Sequence, residues 1–86
     1  MSTLKQVNYL IRIVEDGGFI AASEKLFVAQ SALSRQIKLL EDELGFLIFD
    51  RSEKKVKLTA AGQVLYKNLK NHLHNIGHSI EQAQSM

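Results

Sequence analysis

The sequence predicts a mainly α-helical domain: three helices, a two-stranded β-hairpin, and one long final helix. Three observations predict it. Apolar residues recur at three- and four-residue spacing through "LKQVNYLIRIV", "SALSRQIKLLEDEL" and the stretch after Leu65. Between the second and third of these lies "FLIFDRSEKKVKLT", rich in Phe, Ile and Val around a polar centre, which suits strands better than helix. Glycines fall just past the ends of the periodic runs, and the chain has no proline.

In chain order, Leu4, Val7, Leu10, Ile11 and Val14 set out one face of a first helix. Asp16, Gly17 and Gly18 stop it, because glycine tolerates the left-handed turn that closes a helix end. A short second helix, "FIAASEKLF", starts after Gly18; serine or asparagine would cap it better. Its small Ala21 and Ala22 allow close helix contact. "VAQS" is a tight break, and a third helix runs from about Gln30 to Leu44, ending at Gly45. The hairpin has no Asn-Gly turn, so its turn is longer than two residues or irregular. Thr59 then caps a final helix from Ala60 to near the end, dividing the chain into a head, residues 1–59, and a helix, residues 60–86.

At 86 residues the chain is sized for one domain with a small core. It has no cysteine, which excludes disulfides and thiolate metal sites and fits a reducing compartment. No apolar run approaches the roughly 18 residues of a membrane span. The start "MSTLKQVNYL" lacks the pattern of a signal peptide. A soluble intracellular protein is expected. Net charge is only +2, so its distribution matters more than its size. Residues 30–38 hold Arg35 and Lys38 and no acid, while "RSEKKVK" at 51–57 holds four bases and one acid. Two separate basic patches on a nearly neutral domain suit a shaped polyanion.

The third helix has two faces. At about 100° per residue, Ile37, Leu40 and Leu44 lie within about 40° of Leu33, while Ser31, Ser34, Arg35 and Lys38 lie opposite, joined by Asp42 about two turns further on. The plain reading of the second face is solvation, as on most surface helices. Against it, the first turns lack the acids that usually complement the helix dipole. The side chains there are also short or planar, and Gln and Arg can make bidentate contacts to base edges. A short helix precedes this one across a tight turn, the arrangement of a helix-turn-helix. The hairpin carries Lys54 and Lys55 at its tip, flanked by Arg51 and Lys57. Those bases either reach an adjacent minor groove or protect an exposed sheet edge from aggregation.

The run "GGFIAASEKLFVAQSALSRQIKLLEDELGFLIFDRSEKKVKLTAAG" resembles the N-terminal domain of LysR-type transcriptional regulators. The elements "GF..A.", "A..L.V.Q.ALSRQI..LE.ELG", "IFDR" where the family has "LF.R", and "LT.AG" stand in the family's order and spacing and cover the chain from Leu4 onward. The resemblance implies a winged helix-turn-helix followed by a long C-terminal dimerisation helix, binding a dyad-symmetric site on double-stranded DNA. It places the recognition helix (about 30–44) in the major groove and the wing tip (about 52–56) in the minor groove. Gln30, Ser31, Ser34 and Arg35 match the family's base-contacting positions. Lys5, Lys38, Arg51, Lys54 and Lys55 fall where backbone or minor-groove contacts are expected, with Lys54 at the wing position that usually carries a base. The family also implies a C-terminal effector-binding domain, so the chain reads as a DNA-binding fragment of a longer, tetrameric, cytoplasmic and nucleoid-associated protein. Two departures bear on operator preference: Ser31 replaces the commoner proline, and Gly18 and Ile20 replace the commoner serine and threonine.

In the last helix, Leu65, Leu69, Leu73, Ile76 and Ile80 form an apolar stripe whose spacing after Leu69 is that of a coiled-coil seam. Its far end has no other core in reach, so a homodimer through these residues is expected, antiparallel by the resemblance; the first two turns could instead pack on the head. His74 and His78 have i, i+4 chelating spacing, but no Cys or nearby carboxylate completes a metal set, and ordinary solvated histidines are the better reading. No cofactor or metal is expected. A rival function is a protein-interaction module using the long helix as an adaptor. An enzyme is the least favoured class: there is no G-x-S-x-G, no phosphate-binding glycine loop and no carboxylate pair, and Ser34 has no base beside it.

Overall fold

A computed structural model describes residues 4–52 and 55–86. The elements are α1 (Leu4–Asp16), α2 (Phe19–Leu26), α3 (Gln30–Leu44), β1 (Phe49–Asp50), β2 (Lys57–Leu58) and α4 (Ala60–Gln84). The strands pair antiparallel, Phe49 opposite Leu58 and Asp50 opposite Lys57, so the hairpin is a minimal wing on a longer connection. The architecture is mainly α-helical, a winged helix-turn-helix extended by one long helix.

The first three helices pack on one another around Leu10, Ile13, Ala22, Leu33, Ile37 and Leu40. Ile48 and Phe49 close this core from the wing side. Phe49 meets Phe19 edge-to-face with ring centroids 5.4 Å apart, a favoured aromatic geometry. Thus the wing root packs directly onto the start of α2. The apolar face of α1 is rotated slightly from the sequence expectation. Leu4 is exposed, while Tyr9 and Ile13 join Leu10 and Ile11 inside. Among the described residues nothing covers Leu4, and the core draws instead on the residues nearer α2 and α3.

The helix junctions set the angles. Gly18 opens α2 at φ 157°, a conformation L side chains rarely adopt, and no side chain caps it. α2 ends one residue earlier than its sequence suggests. Phe27 takes the left-handed conformation (φ 57°) and is 94 % exposed. The Phe27 N–H donates to the Glu24 carbonyl and the Val28 N–H to the Ser23 carbonyl, the paired bonds of a Schellman closure. α3 ends where Gly45 donates to the Glu41 carbonyl at 2.9 Å.

The head and α4 are joined by a compact polar device. Thr59 caps α4: its Oγ1 accepts from the Gly62 N–H at 2.9 Å and donates to the Leu47 carbonyl at 2.6 Å. The Thr59 N–H donates to the Ile48 carbonyl at 2.9 Å. Gly62 is buried against that carbonyl, and a Cβ there would stand 2.1 Å from the Ile48 oxygen. The "LT.AG" element therefore fixes where the long helix leaves the head.

Candidate nucleic-acid interface

α3 presents the face its sequence implies. Leu33, Ile37 and Leu40 are buried, and Gln30, Ser31, Arg35 and Lys38 are exposed on other sides, with Ser34 half-buried between them. The N-cap is Ala29, which offers no side-chain acceptor, and no acid lies in the first turn. The leading backbone N–H groups and the positive end of the helix dipole thus have no acid in their own first turn, which favours anions, although Glu24 of α2 stands across the adjoining cleft.

Gln30 and Ser34 line an open cleft of about 780 Å³, whose other walls include Gly18, Ile20 and the acid Glu24 of the α2 region and Arg51 and Lys55 from the wing. The fold therefore brings together two groove-facing candidates of α3 and two bases of the wing. Ser31, Arg35 and Lys38 stand on the exposed surface of α3 outside that cleft, and Lys5 lies on α1 with its ammonium 5.7 Å from the Tyr9 ring centroid. Lys54 lies outside the described residues.

Arg51 has a role that its place in a basic run did not suggest. Its guanidinium lies 5.1 Å from the Phe19 ring centroid and pairs with Glu41 at 3.5 Å. The Glu41 side chain is almost fully buried and accepts from the Ile48 N–H at 2.7 Å and the Phe49 N–H at 3.2 Å. One carboxylate thus ties α3 to the first residues of the wing and to Arg51. Much of the Arg51 charge is spent on this internal bolt; the part that remains exposed borders the cleft. Glu41 was not singled out from the sequence. The signal that would have separated it is its spacing, since Leu33, Ile37 and Glu41 follow one another at four-residue steps along the buried stripe.

At the wing base, the Ser52 N–H donates to Asp50 Oδ1 at 2.9 Å, a local turn made by an aspartate side chain. Hydrogen bonds from Ser52, with a smaller contribution from the charge of Lys57, hold the Asp50 carboxyl below its usual range. The wing therefore carries a negative charge near its root as well as positive charge beyond it.

The apolar stripe of α4 divides in two. Leu65 and Leu69 are half-buried against the core of the head, so they are spent in part within their own domain. Leu73, Ile76 and Ile80 are 37 %, 52 % and 53 % exposed. His74 and His78 are exposed on the same helix. Among the described residues no helix is long and apolar enough to cross a membrane.

A three-helix head, a short wing and an outward-facing third helix define a winged helix-turn-helix of the kind built around DNA recognition. The profile of the bacterial regulatory helix-turn-helix proteins of the lysR family matches residues 4–63, and the chain belongs to that family. Among its relatives, the HTH-type transcriptional regulator BsdA of Bacillus subtilis is 40 % identical over 84 residues, covering 96 % of this chain and 29 % of BsdA. A probable RuBisCO transcriptional regulator of Cyanidioschyzon merolae is 46 % identical over 65 residues, 76 % of this chain and 22 % of that protein. The chain thus spans under a third of the length of these relatives. Among solved structures, the BenM DNA-binding domain in complex with benA site 1 DNA superposes with a TM-score of 0.90 at 33 % identity, covering 98 % of this chain and 94 % of that one. The DNA complex of the CbnR DNA-binding domain gives 0.84 at 31 % identity, covering 98 % and 97 %.

Proposed function

We propose that this chain is the sequence-specific DNA-binding part of a LysR-type transcriptional regulator, which grips a dyad-symmetric promoter site as a homodimer. The observation that carries this reading is the third helix. Leu33, Ile37 and Leu40 on its apolar side are buried in the core, and its exposed side offers Gln, Ser and Arg beside a first turn without acids, next to a cleft bordered by wing bases. In this reading α3 enters the major groove, with Gln30, Ser31, Ser34 and Arg35 facing base edges. Lys5, Lys38, Lys55 and the exposed part of Arg51 meet phosphates, and Lys54 at the wing tip enters the minor groove. The chain works by binding and needs no catalytic group or cofactor.

The dimer reading rests on α4. Leu73, Ile76 and Ile80 keep much of their surface exposed on the outer half of the helix, and an antiparallel copy of the same helix would cover them. Leu65 and Leu69 would join the edge of that interface while packing on their own head. The relatives are longer than this chain, and in this reading the full-length regulator carries a further domain, assembles as a tetramer and is cytoplasmic and nucleoid-associated.

A salt titration of duplex binding tests the reading. A groove-bound dimer predicts that affinity falls steeply and linearly with salt on logarithmic axes, and that a dyad duplex outcompetes random duplex by about 10³-fold or more. An equal affinity for all duplexes, or none for any, would favour the protein-adaptor reading.

A further inference from the structure

A chain of charges runs from α2 across α1 and ends on the long helix. Lys25 of α2 pairs with Asp16 at 3.4 Å, and Asp16, whose side chain is nearly buried, also pairs with Arg12 one turn back on α1. Arg12 reaches Glu15 at 3.9 Å. Glu15 then receives two groups from α4: the Tyr66 hydroxyl donates to its Oε2 at 3.4 Å, and the Lys70 ammonium lies 3.6 Å from the same oxygen. Lys70 is itself 5.8 Å from the Tyr66 ring centroid, so the two α4 groups converge on one carboxylate. α2 thus communicates with α4 through three acids and bases of α1.

We propose that Glu15 is a specificity-determining residue, acting by position: it sets the angle at which α4 leaves the head, and through that angle the half-site spacing the dimer accepts. The inference rests on the dimeric DNA-binding reading above. Apolar packing holds only the base of α4, through Leu65 and Leu69, and such packing tolerates small rotations. The Thr59 cap fixes a point on the helix, not a direction. Tyr66 and Lys70, two and three turns beyond that cap, supply the lateral constraint. The helix is also a long lever. Its 25 residues extend about 37 Å at 1.5 Å per residue, so a tilt of about 10° at the base moves the far end by roughly 6 Å. That is close to two base-pair rises, enough to change which spacing places both recognition helices in register. A single exposed ion pair contributes little to folding, but here it biases a lever rather than a fold.

The test uses the 86-residue chain and duplexes carrying the half-site recovered by selection from a random pool, with the spacing between half-sites varied one base pair at a time. Glu15→Gln removes the ionic contact, and Lys70→Ala removes its partner from α4. Both variants are expected to reduce discrimination between the best spacing and one displaced by two base pairs by about 3- to 10-fold, the size expected of one weak pair in each of two copies. Single half-site affinity and dimer formation should not change, and the double variant should be no looser than either single one. Unchanged spacing discrimination in both variants would overturn the inference. So would a parallel loss of half-site affinity, which would place Glu15 in the integrity of the head. A wild-type chain without any spacing preference would instead overturn the dimeric reading on which the inference depends.

Discussion

Replacing Gly62 with alanine probes the joint between head and long helix. A methyl group there would stand 2.1 Å from the Ile48 carbonyl oxygen and 3.0 Å from its carbon. Ordinary contact needs more than a further ångström, and the obstacle is backbone, which cannot swing aside as a side chain can. The helix must therefore lift from the wing root. Lifting strains the Thr59–Ile48 bond at 2.9 Å and the Gly62–Thr59 cap at 2.9 Å. Overpacking costs about 1–3 kcal/mol and a lost cap about 1, against a gain of about 1 from alanine's better helix propensity. The net loss is about 1–3 kcal/mol, which lowers Tm by roughly 5–20 °C in a domain of this size. Gly77 supplies the internal control, since a Cβ there meets nothing within 4 Å. Gly77→Ala should raise stability by up to about 1 kcal/mol in the same helix. Thermal unfolding followed by circular dichroism reads both. A Gly62→Ala variant as stable as Gly77→Ala would refute the claim that close approach, not helix propensity, dictates the glycine.

Arg35→Ala should weaken specific binding by about 1–3 kcal/mol and relax preference at one position per half-site; an equal loss on random DNA would make Arg35 a phosphate contact. Lys54→Ala should lower affinity and shallow the salt slope by about one unit per contact removed, and an unchanged slope would support edge protection by the wing lysines. Glu41→Gln should cost about 2 kcal/mol in chemical denaturation, because it removes the charge that holds two backbone N–H groups and Arg51 together; full stability would show that the bolt is not needed. Replacing Leu73 and Ile76 together with Asp should give a monomer by sedimentation, with the head folded by circular dichroism and tight binding to the dyad lost; a double variant that remains dimeric would move the interface elsewhere.

Helix positions were legible because periodicity and end signals agreed. Leu33, Ile37 and Leu40 face inward as their spacing requires, and Thr59 and Gly45 stand at the helix ends they mark. The end of α2 was less legible, since Phe27 closes it in a left-handed conformation that sequence preference assigns to glycine or asparagine. The role of Glu41 was hidden because its partners are two backbone N–H groups several residues away, and no side-chain pattern announces a backbone donor. Arg51 was read from its charge alone, whereas its position depends on a ring in α2 and an acid in α3 that only the fold brings together. The same holds for Glu15 and Lys70, 55 positions apart in sequence by their numbers and paired across α1 and α4. The division of the α4 stripe was legible in part: the first turns, with no need of a partner, pack on the head through Leu65 and Leu69, and Leu73, Ile76 and Ile80, beyond the reach of that core, stay exposed.

The central claim is that α3 reads bases from a dimer, and selection of bound duplexes from a random pool tests it most directly. The account predicts a dyad whose half-sites recur at one fixed spacing, centred about one helical turn or a multiple of it apart. It predicts further that repeating the selection with Arg35→Ala erases preference at one symmetric pair of positions and leaves the spacing intact. A pool that enriches no sequence, or a selected motif that Arg35→Ala leaves wholly unchanged, would contradict it.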